Sequence, residues 1–163
     1  MSSSRQGFLR HLPVTPRVFR HGINLWPPFR AARIKLLAMS DDWKRAEVRL
    51  RLGLFNRNYF GTQYGGSMFS MTDPFYVLML AHILGRDTVV WDKAASIRYL
   101  KPARGDVFAR FELDDACIEA IRAAIAGGDK HEPRFTIAIT DAMGEVVAEV
   151  ERTLYVRRRT ERA

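Results

Sequence analysis

Residues 56–84 read NRNYFGTQYGGSMFSMTDPFYVLMLAHIL, and this stretch decides the fold. Turn formers Asn56, Asn58 and Gly61 open it, the pair Gly65-Gly66 follows, and an apolar run from Phe75 to Leu84 closes it. An apolar run of that length, bounded by turn signals, predicts a buried central helix. Glycines at a helix start admit close approach to the backbone, because no Cβ stands in the way. The unpaired N–H groups of a first helical turn suit an anion, or an oxyanion forming on a carbonyl. A single carboxylate, Asp73, interrupts the apolar sequence.

Two helix starts are compatible with these residues. Thr72-Asp73-Pro74 has N-cap chemistry, with Asp73 as the cap and Pro74 in the first helical position. A helix that begins near Gly65 instead meets Pro74 in its interior, where a lost hydrogen bond and a ring clash kink it at a cost of about 3 kcal/mol. On the first reading Asp73 only caps; on the second it stands beside a kink, free for chemistry.

Outward from this stretch the periods change. Before it, Ala46, Val48, Leu50 and Leu52 alternate with Arg45, Glu47, Arg49 and Arg51, which predicts a strand with one dry and one wet face. After it, Thr88–Leu100, Asp106–Leu113, Pro133–Asp141 and Glu145–Arg157 have strand composition. Asp141-Ala142-Met143-Gly144 joins the last two as a tight hairpin. Asp115–Ala126, with Ile118, Ile121 and Ile125 at helical spacing, is an inserted helix ended by Gly127-Gly128. Towards the N-terminus, Thr15 and Pro16 start a short helix broken at Pro27-Pro28, and a second helix from Pro28 is expected to carry Phe29, Ala32, Ile34, Leu36 and Leu37. Residues 1–14 form a basic lead-in. One long helix against a mostly antiparallel sheet is an α+β layout in which the sheet wraps around the helix.

Composition bounds the function. The chain has 163 residues, 47% of them hydrophobic and 27% charged, which suits one soluble domain. A single cysteine, Cys117, excludes an internal disulfide and fits a cytoplasmic setting. The N-terminus lacks the apolar core of a signal peptide, and the most apolar window is too short to span a bilayer. The net charge of +8 is spread along the chain without the interleaved aromatics of a nucleic-acid stacking platform. A basic surface also attracts an acyl-CoA, whose nucleotide end carries several phosphate charges. The four histidines, His11, His21, His82 and His131, show no metal-ligand spacing.

The order of elements and the central motif together resemble a known family. Asn58, Gly61-Thr62, Gly65-Gly66 and Asp73 are similar to the signature of hotdog-fold thioesterases of the phenylacetyl-CoA type, and WDKAASIRYLKPARGDVFARFEL (91–113) resembles the strand, turn and strand that follow their central helix. From Trp26 to Val156 the chain most resembles an uncharacterised bacterial branch of these proteins, known as a domain of unknown function. The resemblance implies an antiparallel sheet wrapped around one long helix, with a basic helical extension over 1–40, one hotdog domain over 41–157 and a basic tail over 158–163. It also implies an acyl-CoA thioester as substrate, no cofactor, and assembly as a homodimer or homotetramer.

By the same resemblance, the amides of Gly65 and Gly66 and the side chain of Asn58 hold the thioester carbonyl, and Asp73 acts as general base or nucleophile. Tyr64, Thr62, Met68, Asp92 and Ser96 are the expected substrate-side residues, Asp92 and Ser96 sharing one strand face. Tyr64 departs from the family, which has His there; a phenol of pKa about 10 is a poor base at neutral pH. Gly65 and Asp73 are eight positions apart, roughly 12 Å along a continuous helix. One helix therefore cannot bring both to one carbonyl, whereas a twofold dimer sets Asp73 of one subunit opposite the glycines of the other. Hydrolase and non-catalytic acyl-CoA-binding module are the two functions compatible with this pattern.

Overall fold

The computed structural model describes residues 14–159; the lead-in and the end of the basic tail lie outside them. Two short helices, α1 (Pro16–Leu25) and α2 (Pro27–Ala32), precede the edge strand β1 (Ile34–Met39) and β2 (Arg45–Leu50). Next come the helices α3 (Gly65–Ser70) and α4 (Phe75–Leu84), then β3 (Thr88–Tyr99), β4 (Val107–Glu112), α5 (Asp115–Ala124), β5 (Arg134–Asp141) and β6 (Val146–Arg158). The strands form one six-stranded sheet in the order β1-β2-β4-β5-β6-β3, antiparallel throughout. This is the hotdog fold, with the sheet curled over α3 and α4.

Burial explains why the sheet curls. Phe75, Met79 and Leu80 of α4 are fully buried, as are Val48, Phe111, Ile139 and Val150 on the sheet's inner face. Aromatic contacts tie the layers: Phe75 lies 4.9 Å from Phe111 and 6.0 Å from Phe29, and Tyr76 stacks on Phe135 at 4.2 Å. A helix that is apolar nearly all round needs cover on more than one side, and a wrapped sheet provides it. At the end of α4, His82 stacks on Trp43 at 3.6 Å and bonds the Leu78 carbonyl through Nδ1.

The structure departs from expectation at both ends of the chain. The second helix stops at Ala32, where Arg33 takes a left-handed φ of 62°, and Ile34–Met39 is a strand. The reason is tertiary. Asn24 of α1 accepts from the Leu36 N–H at 2.8 Å and donates to its carbonyl at 3.0 Å, satisfying the outer edge of β1 while β2 satisfies the inner one. The sheet thus starts inside the segment read as a helical extension. At the other end β6 runs to Arg158, and Arg159 donates its N–H to the Asp87 carbonyl, so pairing with β3 continues into the arginine run. Elsewhere the expected elements stand, including the Thr15 cap and the 141–144 turn, where Asp141 accepts from the N–H groups of Met143 and Glu145.

A helix starts at each of the two places, α3 at Gly65 and α4 at Phe75. The helix breaks over Met71–Pro74 and resumes at Phe75, with Pro74 as the capping residue and no side-chain cap. Pro74 has no N–H to offer, and the turn tightens through Thr72 N–H to Phe69 carbonyl and Asp73 N–H to Ser70 carbonyl, both 3.2 Å. Asp73 does not cap α4.

Candidate active site

The loop before α3 is built by Asn58. Its Oδ1 accepts from the N–H groups of Phe60 and Thr62, and its Nδ2 donates to Thr62 Oγ1 at 2.9 Å and to the Gln63 carbonyl at 3.2 Å. Both amide hydrogens are thus used within the loop, and Asn58 shapes the backbone while also lining the groove described below. Thr62 and Gln63 are buried beside it; Gln63 Nε2 donates to the carbonyls of Leu50 and Gly105, tying the loop to the sheet.

Tyr64 caps α3 through its backbone alone, its carbonyl accepting from Ser67 and Met68. The N–H groups of Gly65 and Gly66, in the first turn, have no partner within the helix. Both glycines are needed for close contacts. A Cβ on Gly65 would lie 2.6 Å from the Tyr99 hydroxyl, and one on Gly66 would lie 2.5 Å from the Tyr64 ring. Burial, reinforced by neighbouring Tyr64, pushes the Tyr99 phenol above its ordinary range, so it stays a neutral O–H donor.

Gly65 and Tyr99 line a groove of about 610 Å³ whose lining does not include Tyr64 or Gly66. Asn58, Thr62, Met68, Lys101 and Arg104 line it as well. Lys101 also reaches Asp141 and Glu145 at 3.5 and 3.6 Å. Half-exposed Tyr99 belongs to the groove, and half-exposed Trp91 lies beside Tyr155.

Asp73 and Asp92 are elsewhere in the same chain, gathered by a residue that the motif does not contain. Arg152 of β6 is 1% exposed, and its Nη1 lies 3.1 Å from Asp92 Oδ2 and 3.5 Å from Asp73 Oδ2. Its Nε and Nη2 donate to Thr72 Oγ1 at 3.3 and 3.1 Å, Nη2 also donates to the Phe69 carbonyl at 3.3 Å, and the guanidinium stands 5.1 Å over the Phe69 ring. Burial pushes the Asp92 carboxyl above the usual range; the Arg152 charge opposes this and the Asp73 charge adds to it. Asp92 Oδ1 is buried with no partner.

A register shift in β3 sets these faces. Asp92 pairs with Leu154 and Ala94 with Thr153, so Lys93 is the extra residue and the alternation changes phase. Ala95, opposite Arg152, therefore shares the inner face with Asp92, whereas Ser96 pairs with Glu151 on the outer face. Simple alternation put Asp92 and Ser96 together; the bulge separates them.

The chain has the sequence pattern of one family over nearly all of this structure. A family model described as a domain of unknown function, DUF4442, matches residues 15–156. The chain belongs to the DUF4442 family. No curated protein matches it. Several solved structures share its fold. A Pseudomonas aeruginosa protein of unknown function, described as a probable thioesterase, is 22% identical with a TM-score of 0.78, over 91% of this chain and 99% of that one. A Haemophilus influenzae thioesterase is 16% identical with a TM-score of 0.65, over 88% and 91%. A Chlorobaculum tepidum protein of unknown function is 11% identical with a TM-score of 0.70, over 90% and 98%.

Two polar residues of this DUF4442 chain escape motif reading. Arg152 interrupts the inward series Val150, Leu154, Val156, and a cation on the dry face of a strand is the signal that could have found it. Gln63 lies within the motif but between its marked positions. Cys117 is half-buried, and burial together with the Asp114 charge pushes its thiol up, which disfavours the thiolate. Among the described residues no group of three or more His, Cys, Asp or Glu side chains could hold a metal, and no helix is long and apolar enough to cross a membrane.

Proposed function

We propose that this protein hydrolyses acyl-CoA thioesters at a site shared between two subunits of a homodimer. The observation that carries the reading is the placement of Gly65: it lines the groove at the first turn of α3, where its N–H has no helical partner. The Gly65 and Gly66 amides hold the developing oxyanion, with the Tyr99 O–H beside them. Asp73 of the partner subunit takes a proton from water; the water oxygen bonds to the carbonyl carbon, the C–S bond breaks, and the proton passes to the departing thiolate. Asn58 supports this indirectly by fixing the loop. Groove-lining Thr62, Met68 and Tyr64's neighbour Tyr99 contact the acyl group, while Lys101 and Arg104 at the rim suit the phosphates of CoA.

Several features favour a shared site. Asp73 does not line its own chain's groove, although its carboxylate is 62% exposed and accessible from outside. Strand β3 is an edge strand of 12 residues whose positions 93–96 are exposed in succession. Unpaired edges of that length invite another strand. Trp91, Tyr99, Tyr64 and Phe60 add exposed aromatic area around it. The similarity in fold to the Pseudomonas and Haemophilus proteins agrees with thioester chemistry, and the motif agrees with the phenylacetyl-CoA type in its plan. A cytoplasmic setting suits a CoA-dependent enzyme with a single cysteine.

The second reading is a non-catalytic acyl-CoA-binding module, favoured by Tyr64 in place of a basic His. Release of free thiol from short, medium, long-chain and aromatic acyl-CoAs, with wild type beside Asp73→Asn, separates the two. The hydrolase shows turnover that the substitution abolishes. Saturable binding by a folded wild type that releases no thiol from any substrate establishes the binding module instead.

A further inference from the structure

We propose that Arg152 is a positioning residue for the reaction, a fixed clamp that holds Asp73 and Asp92 in one arrangement against the break in the central helix. The inference rests on the hydrolase reading above and adds a residue that the motif lacks. Its basis is a complete donor account. A guanidinium has five N–H donors. Here Nε–H goes to Thr72 Oγ1, the two on Nη1 go to Asp73 and Asp92, and the two on Nη2 go to Thr72 Oγ1 and the Phe69 carbonyl.

Each contact has a consequence. Thr72 and Phe69 belong to the helix break, so the cation is anchored to the segment that carries Asp73. Asp92 faces inward opposite Leu154, in the regular register that precedes the bulge at Lys93, so the same nitrogen reaches a second carboxylate from the sheet. Two carboxylates around one cation leave the cluster with a net charge of about −1, and Asp92 Oδ1 remains an unused acceptor. Asp73, held at the helix break with its carboxylate exposed, is then presented to a carbonyl arriving from the partner's groove. A lysine could supply the charge, but three donors on a flexible stem cannot reproduce the fork. Asp73 and Asp92 are the acidic groups that ion-pair with Arg152 among the described residues.

The test uses full-length Arg152→Lys and Arg152→Gln, thiol release from acyl-CoA, and carbon-detected NMR titration of the Asp92 carboxyl. A clamp predicts that folded R152K loses about 10-fold or more in kcat with KM changed little, as expected when a reacting group is misplaced by about 1 Å. It also predicts that the Asp92 titration moves upward in R152Q, which lacks the opposing cation. Wild-type kcat in R152K, or an Asp92 titration unmoved in folded R152Q, overturns the proposal. If R152Q does not fold, R152K decides. If wild type itself releases no thiol, the hydrolase reading has failed separately, and the titration alone decides whether Arg152 governs the pair.

Discussion

Tyr99 sets its hydroxyl over Gly65, at 2.6 Å from where a Cβ would stand. The end of β3 and the start of α3 are thus in contact through a phenol and a bare α-carbon, and this contact forms one corner of the groove. Gly65→Ala forces the phenol aside. Since Ala suits a helix better than Gly by about 1 kcal/mol, stability should change little. Turnover should fall about 10-fold or more, because the group beside the carbonyl is displaced. Thermal melting and thiol release on the same preparation check this, and unchanged turnover would remove Gly65 from the site.

Asp92 makes stability depend on pH in a predictable direction. Its folded pKa is raised from 3.8, chiefly by burial. Between the unfolded and folded values the native state holds a proton that the unfolded chain has lost, so this group's contribution weakens as pH rises through that window. Asp92→Asn has no such term. The stability of the variant minus that of wild type should therefore increase as pH is raised from about 4. Urea unfolding at fixed ionic strength measures it; a difference that stays flat or declines would show that Arg152 outweighs burial.

Asn24 turns a helix-like sequence into a strand. Its side chain makes a two-bond contact to the Leu36 backbone, and Leu36 is fully buried. Asn24→Ala should cost about 1–3 kcal/mol by leaving two backbone groups without a partner. Amide exchange should quicken across Ile34–Met39 before it changes in β5 or β6. Uniform quickening throughout the sheet would mean that β1 is not held locally.

Ala94 tests the edge of β3. It is exposed and faces Thr153 across the strand pair, so Ala94→Glu meets no acidic residue within its own subunit at that position. Across a twofold axis through this edge, two added carboxylates would approach each other, and like charges at close range oppose pairing. Sedimentation should show a dimer for wild type and a shift towards monomer for the variant, with turnover lost in parallel. A variant that remains dimeric with wild-type turnover would place the interface elsewhere.

Much of the fold was legible because local chemistry and tertiary demand agreed. The Thr15 cap, the alternation of β2, the inserted helix and the 141–144 turn are each specified by residues a few positions apart. Gly65-Gly66 and Asp73-Pro74 were both legible as helix starts, and the residues between them did not decide which would hold. Legibility failed where distant residues decide. Ile34–Met39 carries apolar spacing that suits a helix, and only β2 and Asn24 make it a strand. Ser96 was assigned to the face of Asp92 because alternation assumes an unbroken ladder, and the bulge at Lys93 breaks it.

The sequence by itself determined that an apolar helix beside Asp73-Pro74 would be enclosed mainly by strands, since most of the sequence after it has strand composition. Only the tertiary structure decided what surrounds Asp73. Arg152 lies 79 positions away in the chain, and its burial is tolerable only because every N–H it carries finds an acceptor that the fold brings to it.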